Sequence, residues 1–387
     1  MTPRDVVAPT DIVTPADVQA PRDVVTGPDA GPVAAGVYEY TAIRPETLVN
    51  PVAVAWHPSG GYALILSSND GVFRFDAASR AITRVASTTT TNTWRGLTFA
   101  PDGSRAILFG YTGAMGTSRV GRIYNWDPLT SALTDRGTTE QISGGTYESL
   151  AWAPGGGRGA LLATRQNTGS ASIKVWNVDA SGNRGTPIFA YGIVASTGCD
   201  DLDWITDGFG DPALAVVCGT NTGRILVARP VDGTPVVADA TSSGNTGNVS
   251  RIASHPMGNL ALAIGSSTSK LYRVRDGQWF VGFNSPLLTG TFDVAFSTDG
   301  RRAAAFGGLG RVWEFRTDLY SASDILDVSM PSLTQPPYNQ PSSGTTLRGL
   351  AWRPGCDEGL VVGGSSTISG TTAFVAYFRV TNGRACN

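Results

Sequence analysis

Few residues in this chain could do covalent chemistry, and their spacing argues against most of it. The 387 residues include two histidines, His57 and His255, and each stands directly before a proline. A serine or cysteine nucleophile needs an imidazole base held beside it. Imidazoles tied to X-Pro turns are poor raw material for that, so both histidines read as turn-capping residues. The glycine-rich run Pro154-Gly155-Gly156-Gly157 leads into an apolar stretch rather than a helix, so it lacks the helix N-terminus that cradles phosphate. Six glutamates occur, and the densest acidic run is Cys199-Asp200-Asp201-Leu202-Asp203-Trp204, followed by Asp207 and Asp211. A calcium loop would set oxygen ligands at alternating loop positions and close on a glutamate, and this run does not. The four cysteines, Cys199, Cys218, Cys356 and Cys386, show no Cys-x-x-Cys spacing, so neither a metal site nor a cofactor is expected.

What the chain does offer is repetition. Leu347-Arg348-Gly349-Leu350-Ala351-Trp352-Arg353-Pro354-Gly355 echoes Trp94-Arg95-Gly96-Leu97-Thr98-Phe99-Ala100-Pro101-Asp102-Gly103 and Tyr147-Glu148-Ser149-Leu150-Ala151-Trp152-Ala153-Pro154-Gly155. Looser copies end at Trp56-His57-Pro58-Ser59-Gly60, Trp204-Ile205-Thr206-Asp207-Gly208, Ser254-His255-Pro256-Met257-Gly258 and Phe296-Ser297-Thr298-Asp299-Gly300. Each copy is an alternating apolar run, a Pro/Asp/Gly turn and a second apolar run, which is the pattern of a strand, a tight turn and a strand. The anchor positions 56, 99, 152, 204, 254, 296 and 352 recur every 42 to 56 residues. That period, with several strands per repeat, predicts seven propeller blades.

At these residues the chain resembles the WD40-like β-propeller superfamily, and more closely its PD40 (TolB-type) branch, whose repeat centres on a strand followed by Pro-Asp-Gly. Trp126-Asp127 alone spells the WD dipeptide; the equivalent strand ends elsewhere include Phe75-Asp76, Trp176-Asn177 and Phe315-Arg316. The expected fold is all-β, a seven-bladed β-propeller over residues 33–387. The last repeat holds one strand too few, so the strand-like run Val37–Ile43 is expected to supply the outer strand of the last blade and close the ring. Residues 1–32 carry Pro3, Pro9, Pro15 and Pro21 at a hexapeptide period and are expected to form a disordered, semi-rigid Pro/Asp/Val spacer. The longest insertion between strands, Asp318–Thr346, carries four prolines and reads as a loop.

On the blade template Cys199 and Cys218 face each other across one hairpin, and Cys356 and Cys386 end at one face of the last blade. Both pairs are expected to be disulfides, with buried free thiols as the alternative. Superposing the repeats also aligns two positions ahead of each inner strand's core: Val52-Ala53, Arg95-Gly96, Glu148-Ser149, Asp200-Asp201, Ser250-Arg251, Phe292-Asp293 and Arg348-Gly349. Inner strands line a propeller's central channel, so these residues should ring one mouth of it. Six of the seven pairs hold a charge, in a chain that is 16% charged. One reading is a seal of opposite charges paired across neighbouring blades. The other is a recognition site built from Arg95, Glu148, Asp200, Arg251, Asp293 and Arg348, with Trp94 and Tyr147 as stacking surfaces beside Phe292.

A net charge of −2, with two lysines in the whole chain, excludes the basic excess a nucleic-acid binder needs. No apolar run is long enough to span a membrane. Met1-Thr2-Pro3-Arg4-Asp5 lacks a signal-peptide plan. The Pro-rich segment, however, resembles the spacers that follow the lipid-anchored cysteine of bacterial surface lipoproteins, so a lipid anchor upstream of Met1 is expected. The functional expectation is a non-enzymatic, exported, monomeric binding module, tethered to the cell envelope, that takes a protein or a small polar ligand at the channel mouth. The alternatives are a propeller enzyme, a lyase or glycoside-active protein using carboxylates and arginines there, and a cytoplasmic scaffold.

Overall fold

The structure is a computed structural model. It describes residues 36–43, 48–68, 71–87, 92–112, 120–135, 145–153, 158–165, 171–177, 189–193, 199–206, 212–218, 224–229, 236–239, 249–256, 260–265, 269–275, 278–285, 291–307, 312–316, 325–327, 345–367 and 370–386. The expected 1–32 spacer and most of the 318–346 insertion lie outside the described residues.

After β1 (Tyr38–Ile43) the strands fall into consecutive groups of four. The first sheet is β2 (Pro51–Trp56), β3 (Tyr62–Ser67), β4 (Gly71–Asp76) and β5 (Ile82–Ser87); the second is β6 (Asn92–Phe99), β7 (Ala106–Thr112), β8 (Val120–Trp126) and β9 (Leu133–Asp135). The third is β10 (Gly145–Trp152), β11 (Arg158–Arg165), β12 (Ala171–Asn177) and β13 (Phe189–Ile193); the fourth is β14 (Cys199–Thr206), β15 (Pro212–Cys218), β16 (Arg224–Arg229) and β17 (Val236–Asp239). The fifth is β18 (Val249–Ser254), β19 (Leu260–Gly265), β20 (Ser269–Arg275) and β21 (Gln278–Ser285); the sixth is β22 (Thr291–Phe296), β23 (Arg302–Gly307), β24 (Val312–Arg316) and β25 (Ile325–Asp327). The seventh breaks the pattern. β26 (Thr345–Trp352), β27 (Glu358–Thr367) and β28 (Gly370–Val380) are joined by β1, which runs antiparallel to β28 from Tyr38 opposite Val380 to Ile43 opposite Val375.

Burial explains why these runs are strands. Second strands carry continuous apolar runs rather than alternating ones, and β3 and β19 are buried at every residue, as strands covered on both faces must be. Outer strand β5 has no buried residue, half of it exposed and half partly covered. The Pro/Asp/Gly signature is the turn between first and second strands: Gly60, Gly103, Gly300 and Gly355 hold φ of +71°, +74°, +71° and +88°, which a side chain disfavours. The histidines belong to the same turns. His57 Nδ1 accepts from the Ser59 amide at 3.1 Å, and its Nε2 lies 3.2 Å from Gly103 O in the next sheet.

First strands touch one another in the order β2, β6, β10, β14, β18, β22, β26 and back to β2. Their anchor indoles tie neighbours together: Trp56 Nε1 donates to Ala351 O, Trp204 Nε1 to Ala151 O and Trp352 Nε1 to Ala295 O, at 3.0, 3.1 and 3.2 Å. β1 is anchored by a buried ionic knot. Arg302 on β23 pairs with Glu314 on β24 and, at 3.4 Å, with Asp357 before β27, while the Gly36 amide donates to Glu314 Oε1 at 3.3 Å. A Cβ on Gly36 would collide with the Glu314 carboxylate and the Tyr38 ring, so any larger residue here would have to displace part of the knot. The disulfides Cys199–Cys218 and Cys356–Cys386 are both formed, as the repeat alignment anticipated. Among the described residues no helix is long and apolar enough to cross a membrane.

Candidate functional site

The seven first strands share a defect. Pairing with the second strand slips by one residue at the same point in each: 51/53, 94/96, 147/149, 199/201, 249/251, 291/293 and 347/349. The residues left unpaired by these β-bulges are Val52, Arg95, Glu148, Asp200, Ser250, Phe292 and Arg348. A bulge frees one residue from the ladder and re-aims its side chain, and such bulges gather at rims and next to functional sites. The charged positions anticipated from sequence are therefore either the bulge itself (Arg95, Glu148, Asp200, Arg348) or the residue after it (Arg251, Asp293).

These side chains do not form one uniform ring. Arg95 Nε lies 3.2 Å from Glu148 Oε2 across the second and third sheets, and its guanidinium stands 5.5 Å over the Tyr111 ring. Glu148 is also held by the Thr146 hydroxyl. Arg251 donates from Nη1 to Ser250 O at 2.8 Å, and the carboxylates of Asp201, Asp293, Asp200 and Glu148 keep it firmly charged against the cost of burial. Arg348 on β26 is exposed. Asp200 Oδ2 is buried without a hydrogen-bond partner among the described residues.

Two expected contributors drop out. Trp94 and Tyr147 retain 4% and 1% of their exposure, Trp94 packing on Tyr124 and Tyr147 against Ile107, Phe109 and Ile123. Neither offers a face to a ligand. Both immediately precede a bulge, and the extra residue turns them inward while the next side chain points out. The side chain of Phe292 lies outside the described residues.

The acidic run of β14 has a structural task. Asp201 Oδ2 accepts the Ile252 amide at 2.9 Å and Asp203 Oδ2 accepts the Ser254 amide at 2.7 Å, both on the first strand of the next sheet. A first strand has one free edge, and these carboxylates satisfy amides that would otherwise be orphaned there. The signal was present in the sequence, since acids at 201 and 203 fall on one side of a strand.

Withdrawal from water raises the Asp200 and Asp201 carboxyls above the usual carboxylate range, lifts Asp203 to about 6 and lifts Asp293 to about 7. A carboxyl raised on folding stabilises the fold while protonated. Its contribution is complete below the ordinary carboxyl value of 3.8 and fades as pH climbs through about 7. Asp293→Asn should therefore melt higher than the parent at about pH 8, with the difference shrinking as pH falls and vanishing only below 3.8. Thermal melts across that range check the sign; a variant destabilised most at high pH would show that the Asp293 anion is the favoured form.

No family model matches the sequence, and no curated protein does. Among solved structures, one titled "Structure of U3-55K", a WD40 β-propeller protein, superposes with a TM-score of 0.62 at 13% identity, covering 90% of this chain and 100% of that one. The chain has the fold of a β-propeller. At that identity the likeness carries the architecture alone, and the site must be argued from its own residues.

Beyond the propeller's first strands, sequence reasoning missed a second polar group at the junction of the first and seventh sheets. Glu358 Oε2 accepts from Arg353 Nη1 at 3.0 Å and from the Tyr377 hydroxyl, and Cys386 Sγ lies 2.7 Å from the same oxygen. Burial and the adjacent Glu358 push the Tyr377 hydroxyl up to about 12. These residues come from three separate parts of the last sheet and its tail, so nothing in their sequence spacing announces them.

Proposed function

We propose that the chain is an exported, seven-bladed propeller of PD40-type repeats whose ring is closed by β1, and that it works as a binding module without catalysis. On this reading the partner, a protein segment or a small polar ligand, docks at the channel mouth over the bulged ends of the first strands. The observation that carries it is the seven-fold bulge, which lifts Arg95 and Arg348 out of the ladder toward solvent on a rigid scaffold. An arginine fork suits carboxylate or phosphate groups. Two of the carboxylates support a binder over an enzyme: Asp201 and Asp203, which would otherwise resemble tuned general acids, are committed to backbone amides of the next sheet.

The two disulfides favour an oxidising compartment. With the Pro-rich 1–32 segment as a spacer, the reading is of a monomeric protein tethered at the cell envelope.

The test uses immobilised full-length protein and an envelope extract from its native source. Arg95→Ala/Arg348→Ala should lose whatever partner the parent retains, while its melting temperature changes little, because exposed ion pairs contribute about 0–1 kcal/mol. A double variant that melts early yet still binds would make the ring a structural seal.

A further inference from the structure

The junction between the first and seventh sheets holds a ligand set that the blade repeat does not explain. Cys356 in the β26–β27 turn, Glu358 at the start of β27 and Cys386 in the C-terminal tail each bring one donor atom within 4.8 Å of the other two. Cys356 is buried and Cys386 is half-buried. Glu358 and Cys386 open onto a cavity of about 330 Å³ lined further by Arg80, Arg353, Tyr377 and Gly61.

We propose that Cys356, Cys386 and Glu358 form a two-state clamp: a disulfide when oxidised, and a three-ligand site for a thiophilic divalent cation such as Zn²⁺ when reduced. The redox step balances. A dithiol reductant cleaves the disulfide, becoming a disulfide itself and leaving two thiols; the cation then takes two thiolates and the Glu358 carboxylate, and two protons leave to water. Once the S–S bond is broken the sulfurs can separate to roughly 3.7 Å, the spacing that two Zn–S bonds of about 2.3 Å require in a tetrahedron. The fourth position faces the cavity, where a water or an external donor fits.

Three features make this more than proximity. The carboxylate is already oriented, since Arg353 and Tyr377 both bind Oε2, the oxygen that also lies 2.7 Å from Cys386 Sγ, so the group is held with its charge against the cysteine it would join in binding a cation. Outer partners of that kind fix ligand geometry and tune affinity. Arg353 is itself held, its Nε donating to Gly60 O at 2.8 Å. Charge also closes: two thiolates and a carboxylate against a divalent cation leave one negative charge, and the Arg353 guanidinium offsets it. Finally, the clamp has a mechanical role in either state. The tail it fastens is held to Asp357 by two further hydrogen bonds, the Asp357 amide to Arg384 O at 2.9 Å and the Arg384 amide to Asp357 Oδ2 at 3.0 Å, beside the strand that receives β1. A cation would keep that tail pinned when the disulfide is open. This inference is independent of the binding site at the channel mouth.

The experiment takes full-length protein, reduces it under inert gas with a phosphine, removes metal and titrates Co²⁺, then Zn²⁺. A thiolate-to-cobalt charge-transfer band should grow to one equivalent, be absent from the oxidised protein, and be displaced by Zn²⁺. Cys386→Ser should abolish it, and Glu358→Gln should weaken Co²⁺ binding at least about tenfold. A band of full strength in Cys386→Ser would overturn the proposal, since the sulfurs would then be Cys199 and Cys218. So would the absence of a band in reduced protein that keeps its strand circular dichroism, or a reduced chain that loses that signal and does not regain it with Zn²⁺.

Discussion

A chain lacking residues 1–44 is expected to melt roughly 4–8 °C below the full-length protein and to aggregate on heating, whereas one lacking residues 1–30 should melt within about a degree or two of it. The difference is β1. Its ladder to β28 runs unbroken over six residues, and the Tyr38 and Tyr40 rings lie 5.8 and 6.2 Å from Phe378. Tyr38 also meets Trp352 at 6.4 Å, so the strand covers the cluster that holds the last sheet together. Two half-covered aromatic rings and a ladder put the loss at about 3–6 kcal/mol. β28 would become a bare edge, a template for pairing with another chain. Differential scanning calorimetry with light scattering reads both effects; equal melting of the two truncations would mean that the seventh sheet does not depend on β1.

Arg302→Met should be the most damaging single change, at about 3–5 kcal/mol. It keeps the side chain's apolar bulk and removes only the guanidinium. Glu314 and Asp357, at 0% and 6% exposure, would then share a buried site with no cation. Adding Glu314→Gln to the same chain should recover part of the deficit, because it removes one of the two stranded charges. Denaturant unfolding of the single and double variants separates this from a packing defect, which the second change would not relieve.

How much of this could be read from the sequence depended on how local the cause is. Strands and turns were legible because each repeat writes its own punctuation: Gly103 and Gly300 sit at positive φ after Asp102 and Asp299, whose carboxylates cap the following amides. The anchors at 56, 204 and 352 were legible as landmarks, though their purpose was not, since the carbonyl each indole reaches lies one repeat away. Disulfide partners followed from the hairpin register that sets Cys199 opposite Cys218. The bulges were invisible, because one extra residue inverts the two-residue alternation without any change in composition. That inversion is why Trp94 and Tyr147 are core side chains and Arg95 and Glu148 are not. The Arg302–Glu314–Asp357 knot and the Cys356–Glu358–Cys386 group were hidden for a different reason: their members meet only after the last sheet is assembled against its neighbours.

The claim that matters most is where a partner docks, and amide hydrogen exchange on the full-length protein with and without its captured partner tests it directly. Protection on binding should concentrate at the bulged ends of β6, β10, β14, β18 and β26, around Arg95, Glu148, Asp200, Arg251 and Arg348, with outer strands such as β5 unchanged. Protection confined to the outer strands, or to the turn bearing Arg80 and the segment from Arg353 to Glu358, would contradict it and place recognition away from the first strands.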